Sequence, residues 1–202
     1  DSDKTEYYIF LSDKISLPNN EFYSYFWVEL TGKEFSDFFI NENGVSICSN
    51  ACESKENEAE GEMSFQLRRI IAKTATSAEN AVEIAGLLVE KFGYSASGRT
   101  YCFADENEAW FFAVVKGRRW VAQRIPDNHI AIIPNYYTIG EIDLSDKENF
   151  RSSPDIISYA IKNKWFKKNR KNKFNFRLAY ASQNSLNSAG NIPRHWKGIN
   201  IF

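Results

Sequence analysis

Between Thr100 and Pro134 four apolar runs follow one another with almost nothing between them: "TYCFAD", "AWFFAVV", "RWVAQRI" and "HIAIIP". Their links are Glu106-Asn107, Lys116-Gly117-Arg118 and Pro126-Asp127-Asn128. A parallel pair needs a crossover of a dozen residues or more, so links this short permit only antiparallel neighbours. The spacing predicts a meander of four strands, and no other feature constrains the chain as much. "AWFFAVV" is apolar at successive positions. That predicts a strand covered on both faces, by helices on one and a second sheet on the other.

The flanking sequence fills in the rest. "EFYSYFWVEL" (Glu21–Leu30) predicts a strand after a turn at Pro18-Asn19-Asn20. Phe38–Cys52 predicts strand, turn, strand, with Asn41–Gly44 as the turn. A helix is expected from Ser64 with Phe65, Leu67, Ile70 and Ile71 in the core. "TSAENAVEIAGLLVEKFG" is the clearest helix. Thr76 and Glu79 suit a capping box, Ala81, Val82, Ala85, Leu88, Val89 and Phe92 keep one face, and Gly93 suits the stop. Ser153-Pro154-Asp155 opens a helix to about Lys164, and another begins within Asn175–Tyr180. There is no internal repeat. Strands, then helices, then strands, then helices imply a layered α+β fold, and 202 residues suit one domain over 1–202.

Several function classes recede. The net charge of -1 gives no global attraction to nucleic acid or an anionic membrane. No apolar run reaches the roughly 18 residues of a membrane span. Cys48, Cys52 and Cys102 are too few, and odd in number, for a disulfide framework, so a reducing compartment, the cytoplasm, is the default. The chain starts at Asp1, which leaves room for an export signal upstream. Three cysteines and two scattered histidines give no metal pattern, and no cofactor fingerprint occurs. His129 and His195 pair with no thiol by spacing, and Cys48 is expected in the core. "GYSASG" (Gly93–Gly98) misses the nucleophile-elbow pattern and predicts a loop. Lys167, Lys168, Arg170, Lys171, Lys173 and Arg177 lie among aromatics and could track RNA phosphates, but the neutral balance favours a solvated loop.

One residue stands out. The run Ile130–Ile133 stops at Pro134-Asn135, two tyrosines follow, and Gly140 turns the chain. Asn135 is either a turn amide or a donor held at a strand end over a site.

Four stretches carry a resemblance: Phe35–Cys52, Gly93–Leu144, Phe150–Phe166 and Phe174–Phe202. The ordered string "WVAQRIPD" followed by "IPNYYTIGE" is its most specific part. Together they resemble the PepD-type dipeptidases, cysteine N-terminal-nucleophile hydrolases related to the secernins. The resemblance implies an α+β, four-layer sandwich with two antiparallel sheets between helices. It implies peptide or amide hydrolysis by an N-terminal cysteine whose α-amino group is the base. A dipeptide substrate is implied too; no cofactor, metal, nucleic acid or membrane partner is expected, and a homo-oligomer is open. The family's opening Cys-Thr stretch has no counterpart here, since no cysteine precedes Cys48, and the family's C-terminal part is also lacking. The chain therefore resembles the central portion of such an enzyme and should be inactive alone. The alternative is a non-catalytic relative that keeps the pocket as a binding module. Residue by residue, Asn135 falls where the family places an oxyanion donor, and Asn50 lies where an amide or backbone N–H could complete the hole. Arg194 matches an arginine that could lower a thiol's pKa or bind a carboxylate.

Overall fold

Among the described residues seven strands form one antiparallel sheet in strict sequence order: β1 (Tyr25–Trp27), β2 (Phe38–Asn41), β3 (Ser46–Ala51), β4 (Tyr94–Ala104), β5 (Ala109–Gly117), β6 (Trp120–Arg124) and β7 (Phe150–Ser152). The helices described with them are α1 (Thr5–Ser12), α2 (Gln66–Thr74), α3 (Ala78–Phe92), α4 (Ile156–Lys162), α5 (Phe176–Tyr180), α6 (Gln183–Leu186) and α7 (Asn191–Ile199). The structure is a computed structural model that describes residues 5–17, 22–33, 36–169 and 173–201. The turn expected at Pro18–Asn20, and Arg170 and Lys171 of the basic stretch, lie outside the described residues.

The register sorts the sheet into two faces. Phe39 opposes Ile47, Ile47 opposes Phe103, Tyr101 opposes Phe112 and Phe112 opposes Ala122, so all point one way. This face packs against α1, α2 and α3, with Tyr7, Leu11, Leu67, Ile70, Ile84 and Leu88 sealed in the core. α3 sits very close, because a Cβ at Gly86 would lie 2.5 Å from the Trp120 ring. The opposite face carries Phe111, Ala113, Val115 and Val121 and packs against Ile156, Ala160, Phe176 and Tyr180. Around β1 and β2 that second face is bare: Phe26, Val28 and Phe38 are exposed. The α+β class holds. Among the described residues there is one sheet where two were expected, and α4, α5 and a long loop cover the half of the second face that is covered at all.

The predicted hairpin at Asn41–Gly44 forms, with Gly44 at φ 78°. Asn41 organises it: Oδ1 accepts from Asn43 N and Val45 N, while Nδ2 donates to Ala72 O and Ala75 O at the end of α2. Gly93 closes α3 at φ 72°.

Other expectations are corrected. "HIAIIP" is not a strand. β7 takes the free edge of β6 instead, and Pro126 and Pro134 remove backbone donors from the segment between. "GYSASG" is not a loop but the bulged start of β4, with a register shift between Tyr94 and Gly98. The cap of α3 is Ser77, whose side chain accepts from Asn80 N, not Thr76; Glu79 pairs instead with Arg151 at 2.7 Å. Phe65 is exposed rather than core, because its ring lies over the guanidiniums of Arg68 and Arg99, 5.3 and 5.6 Å from its centre. The strand expected over Glu21–Leu30 shrinks to the three residues of β1.

Candidate active site

Three elements converge on the segment from Ile132 to Tyr137. The first is the end of β3. Asn50 Nδ2 donates to the carbonyl of Ile133, and Asn135 Nδ2 donates to Ala51 O at 3.2 Å. The second is α7. Arg194 Nη2 donates to Asn135 Oδ1 at 2.9 Å, and Asn191 Nδ2 donates to Asn135 O at 3.0 Å. The third is α5, where the Phe176 ring meets Tyr137 edge-on at 5.2 Å.

Asn135 is therefore not at a strand tip, as expected, but in a bend pinned from both sides. The pinning fixes its amide. Arg offers only donors, so Oδ1 must face Arg194; a carbonyl offers only an acceptor, so Nδ2 must face Ala51. One Nδ2 hydrogen is used on Ala51 and the other remains. Asn50 has the same economy, with Ile133 O as partner. The structure brings all three expected residues to one locus: Asn50 and Asn135 fasten the segment to β3, and Arg194 reaches Asn135 from α7.

α7 was not foreseen, yet its spacing is readable. Asn191, Arg194, His195 and Gly198 fall on one face, and that face lies on the segment; a Cβ on Gly198 would sit 2.6 Å from Ile132 Cδ1. Ile192, Trp196 and Ile199 fall on the other face and are exposed. His195 Nδ1 shares a hydrogen bond with the Tyr136 hydroxyl, one residue along from the Asn135–Arg194 pair. Burial, and then the charge of Arg177, hold His195 below its ordinary pKa. A neutral ring can accept from the hydroxyl. Burial pushes Tyr136 up, with Arg177 acting the other way.

Beneath the segment lies Tyr137, fully buried, with its hydroxyl donating to Val114 O at 2.7 Å. Only glycine fits opposite it: a Cβ at Gly98 would be 1.9 Å from that oxygen. Cys52 is buried here, 3.3 Å from Thr100 Oγ1, and burial pushes its thiol up to about 11. Cys48 opposes Cys102 across β3 and β4, and that neighbour's thiol lowers its pKa against the pull of burial. It is half-buried rather than core. No thiol of the described residues pairs with a histidine in a hydrogen bond, and no group of histidines, cysteines and carboxylates among them could hold a metal. On the opposite face of the sheet, Arg68 and Arg99 converge on Asp37 and on Ser49 Oγ.

A model of peptidase family C69 matches residues 57–202, a span that includes Asn135 and Arg194 but not Asn50. The chain is 33% identical over 120 residues to a probable dipeptidase of Latilactobacillus sakei, covering 59% of this chain and 25% of that one. It is 32% identical over 127 residues to dipeptidase A of Lactobacillus helveticus, covering 62% and 26%. It is 28% identical over 168 residues to probable dipeptidase B of Streptococcus pyogenes serotype M1, covering 79% and 33%. The chain thus spans a quarter to a third of the length of these curated relatives.

Proposed function

The chain belongs to peptidase family C69, and from that premise we propose that it is part of a dipeptidase and contributes scaffold and polar groups to its active site. The nucleophile of the parent protein is an N-terminal cysteine outside this chain. Its α-amino group takes the thiol proton, and the thiolate attacks the scissile carbonyl. The free Nδ2 hydrogen of Asn135 donates to the oxygen that becomes negative. The leaving amine departs with a proton from the α-ammonium group, and water then releases the acyl group. Asn50 orients the segment that carries Asn135. Without that cysteine the chain by itself is inactive.

The observation that carries this reading is the meeting of Asn135 and Arg194 at the end of β3. A rigid amide with one hydrogen to spare, backed by a cation, is suited to developing negative charge. The bare part of the second sheet face supports the finer architecture: Phe26, Val28 and Phe38 offer an apolar floor for a second sheet supplied by the rest of the parent. Three free thiols are consistent with a reducing compartment. No helix among the described residues is long and apolar enough to cross a membrane.

The test is hydrolysis of unblocked dipeptides by the full-length parent. Activity is expected, with complete loss when the N-terminal cysteine is replaced by alanine. A parent that carries an exposed N-terminal cysteine and hydrolyses no dipeptide overturns the proposal and favours a binding module.

A further inference from the structure

Most arginines of known surroundings in this protein have a carboxylate. Arg68 and Arg99 share Asp37, Arg119 has Asp155, Arg124 has Glu108 and Asp127, and Arg151 has Glu79. Arg118 lacks one but donates to the last carbonyls of α3. Two others stand apart. Arg194 uses Nε on Gly190 O and Nη2 on Asn135 and Asn191, which leaves Nη1 without a partner among the described residues. Arg177 makes no side-chain hydrogen bond and no ion pair among the described residues, and its Nε is shut away from solvent.

The backbone holds Arg177 at the candidate site. Ile142 N donates to Phe174 O, Phe176 N to Gly140 O, and Arg177 N to Ile139 O, so residues 139–142 and 174–177 run side by side. Phe176 points to Tyr137, and Arg177 is the next residue. Its charge is felt by both Tyr136 and His195. The Tyr136–His195 pair thus has Arg194 one residue before His195 on α7 and the charge of Arg177 near enough to act on both rings, and neither guanidinium has an ion pair among the described residues. A half-enclosed guanidinium without a counter-charge is unfavourable, and a planar carboxylate is its best complement.

We propose that Arg177, with the free edge of Arg194, receives the C-terminal carboxylate of the dipeptide substrate, which makes Arg177 a specificity-determining residue. This rests on the dipeptidase reading. In a dipeptide the carboxylate lies about one peptide unit, ~3.8 Å between successive Cα atoms, beyond the bond to be cut. Asn135 and Tyr136–His195 are likewise one residue apart along the segment. Longer peptides would place an uncharged amide where these cations wait, and the enzyme would measure substrate length by charge.

The experiment compares the full-length parent with its Arg177→Met and Arg177→Lys variants on a dipeptide and on the same dipeptide as its C-terminal amide. The wild type should prefer the free acid in kcat/KM. Arg177→Met should shrink that preference by roughly 10- to 100-fold, mainly through KM, and Arg177→Lys should keep part of it. Equal losses on both substrates would mark Arg177 as structural and overturn the inference, as would an unchanged preference. A wild type that cleaves dipeptides while the preference stays unaltered sinks the inference alone. A wild type that cleaves neither substrate sinks the dipeptidase reading and the inference with it.

Discussion

Arg194 and Asn135 meet side chain to side chain, Nη2 to Oδ1 at 2.9 Å, although 58 residues separate them in sequence. The contact locks α7 to the segment after β6 and decides which way the carboxamide points. Were Arg194 absent, Oδ1 would lose its charged partner and the amide could rotate its donor away from the site.

Kinetics should register this lock. In the full-length parent, Asn135→Ala should lower kcat by about 10²- to 10³-fold with a smaller effect on KM, the magnitude expected for one oxyanion donor. Arg194→Met should lower it less, and the double variant should be less impaired than the two single effects combined. Additive losses would show that the two side chains act independently.

Gly98 and Tyr137 form a second test, this one of packing. Gly98→Ala places a methyl group 1.9 Å from the Tyr137 hydroxyl and within 3.0 Å of the carbonyls of Cys52 and Val114. A loss of about 1–3 kcal/mol in urea unfolding is expected. Tyr137→Phe removes the nearest obstacle, so Gly98→Ala should cost less in that background.

Asp37 joins Arg68 and Arg99, both of them buried, while its own side chain is about half exposed. Asp37→Ala leaves two buried cations without their shared carboxylate. A loss of about 1–3 kcal/mol is expected, the partial exposure of Asp37 keeping it below the cost of a fully enclosed pair. Chemical denaturation midpoints would measure it, and a shift near zero would contradict the account.

Thiol labelling should separate the cysteines. With its pKa pushed to about 11, Cys52 holds roughly one thiolate in a thousand at pH 8 and is also buried. Cys48 is half-buried and its pKa is lowered. Alkylation of the native protein followed by peptide mass mapping should find Cys48 modified well before Cys52.

Acid should loosen the site through His195. Its folded pKa lies below the ordinary 6.5, so the unfolded chain takes up this proton first. The stability carried by the neutral ring is complete above about 6.5 and is lost as pH falls from there toward the depressed folded value. Melting temperature should therefore drop more between pH 7.5 and 5 in the wild type than in His195→Gln. Equal drops would exclude the ring as a contributor.

The meander was legible because short links leave a strand no choice of partner, and α3 because its apolar face and Gly93 agree. "HIAIIP" misled for a physical reason. Its composition suits a strand, but a later segment, β7, competes for the same edge, and local sequence cannot reveal a competitor. Asn135 stood out in the sequence itself and the family resemblance supplied its role, as it did for Arg194, whereas neither assigned Asn191, His195 or Arg177 a part in the site. The signal of Asn191 and His195, polar residues at i, i+3 and i+4 with Arg194, was present in "NIPRHW", but their partner is a bend far away in sequence, and Arg177 has no place in that pattern. The cap of α3 slipped by one residue because Thr76 and Ser77 can both cap; Ser77 Oγ takes Asn80 N, while Thr76 Oγ1 donates to the Asn80 side chain.

The strand order has a consequence for biosynthesis. Each strand pairs with the one made just before it, so on the ribosome every newly emerged strand meets a neighbour already in place. The sheet can lengthen outward in the direction of translation. Two steps interrupt this progress: β4 must come back to β3 after α2 and α3 have been made, and β7 must come back to β6 after residues 125–149; closing the first and longer detour is the expected slow event in maturation.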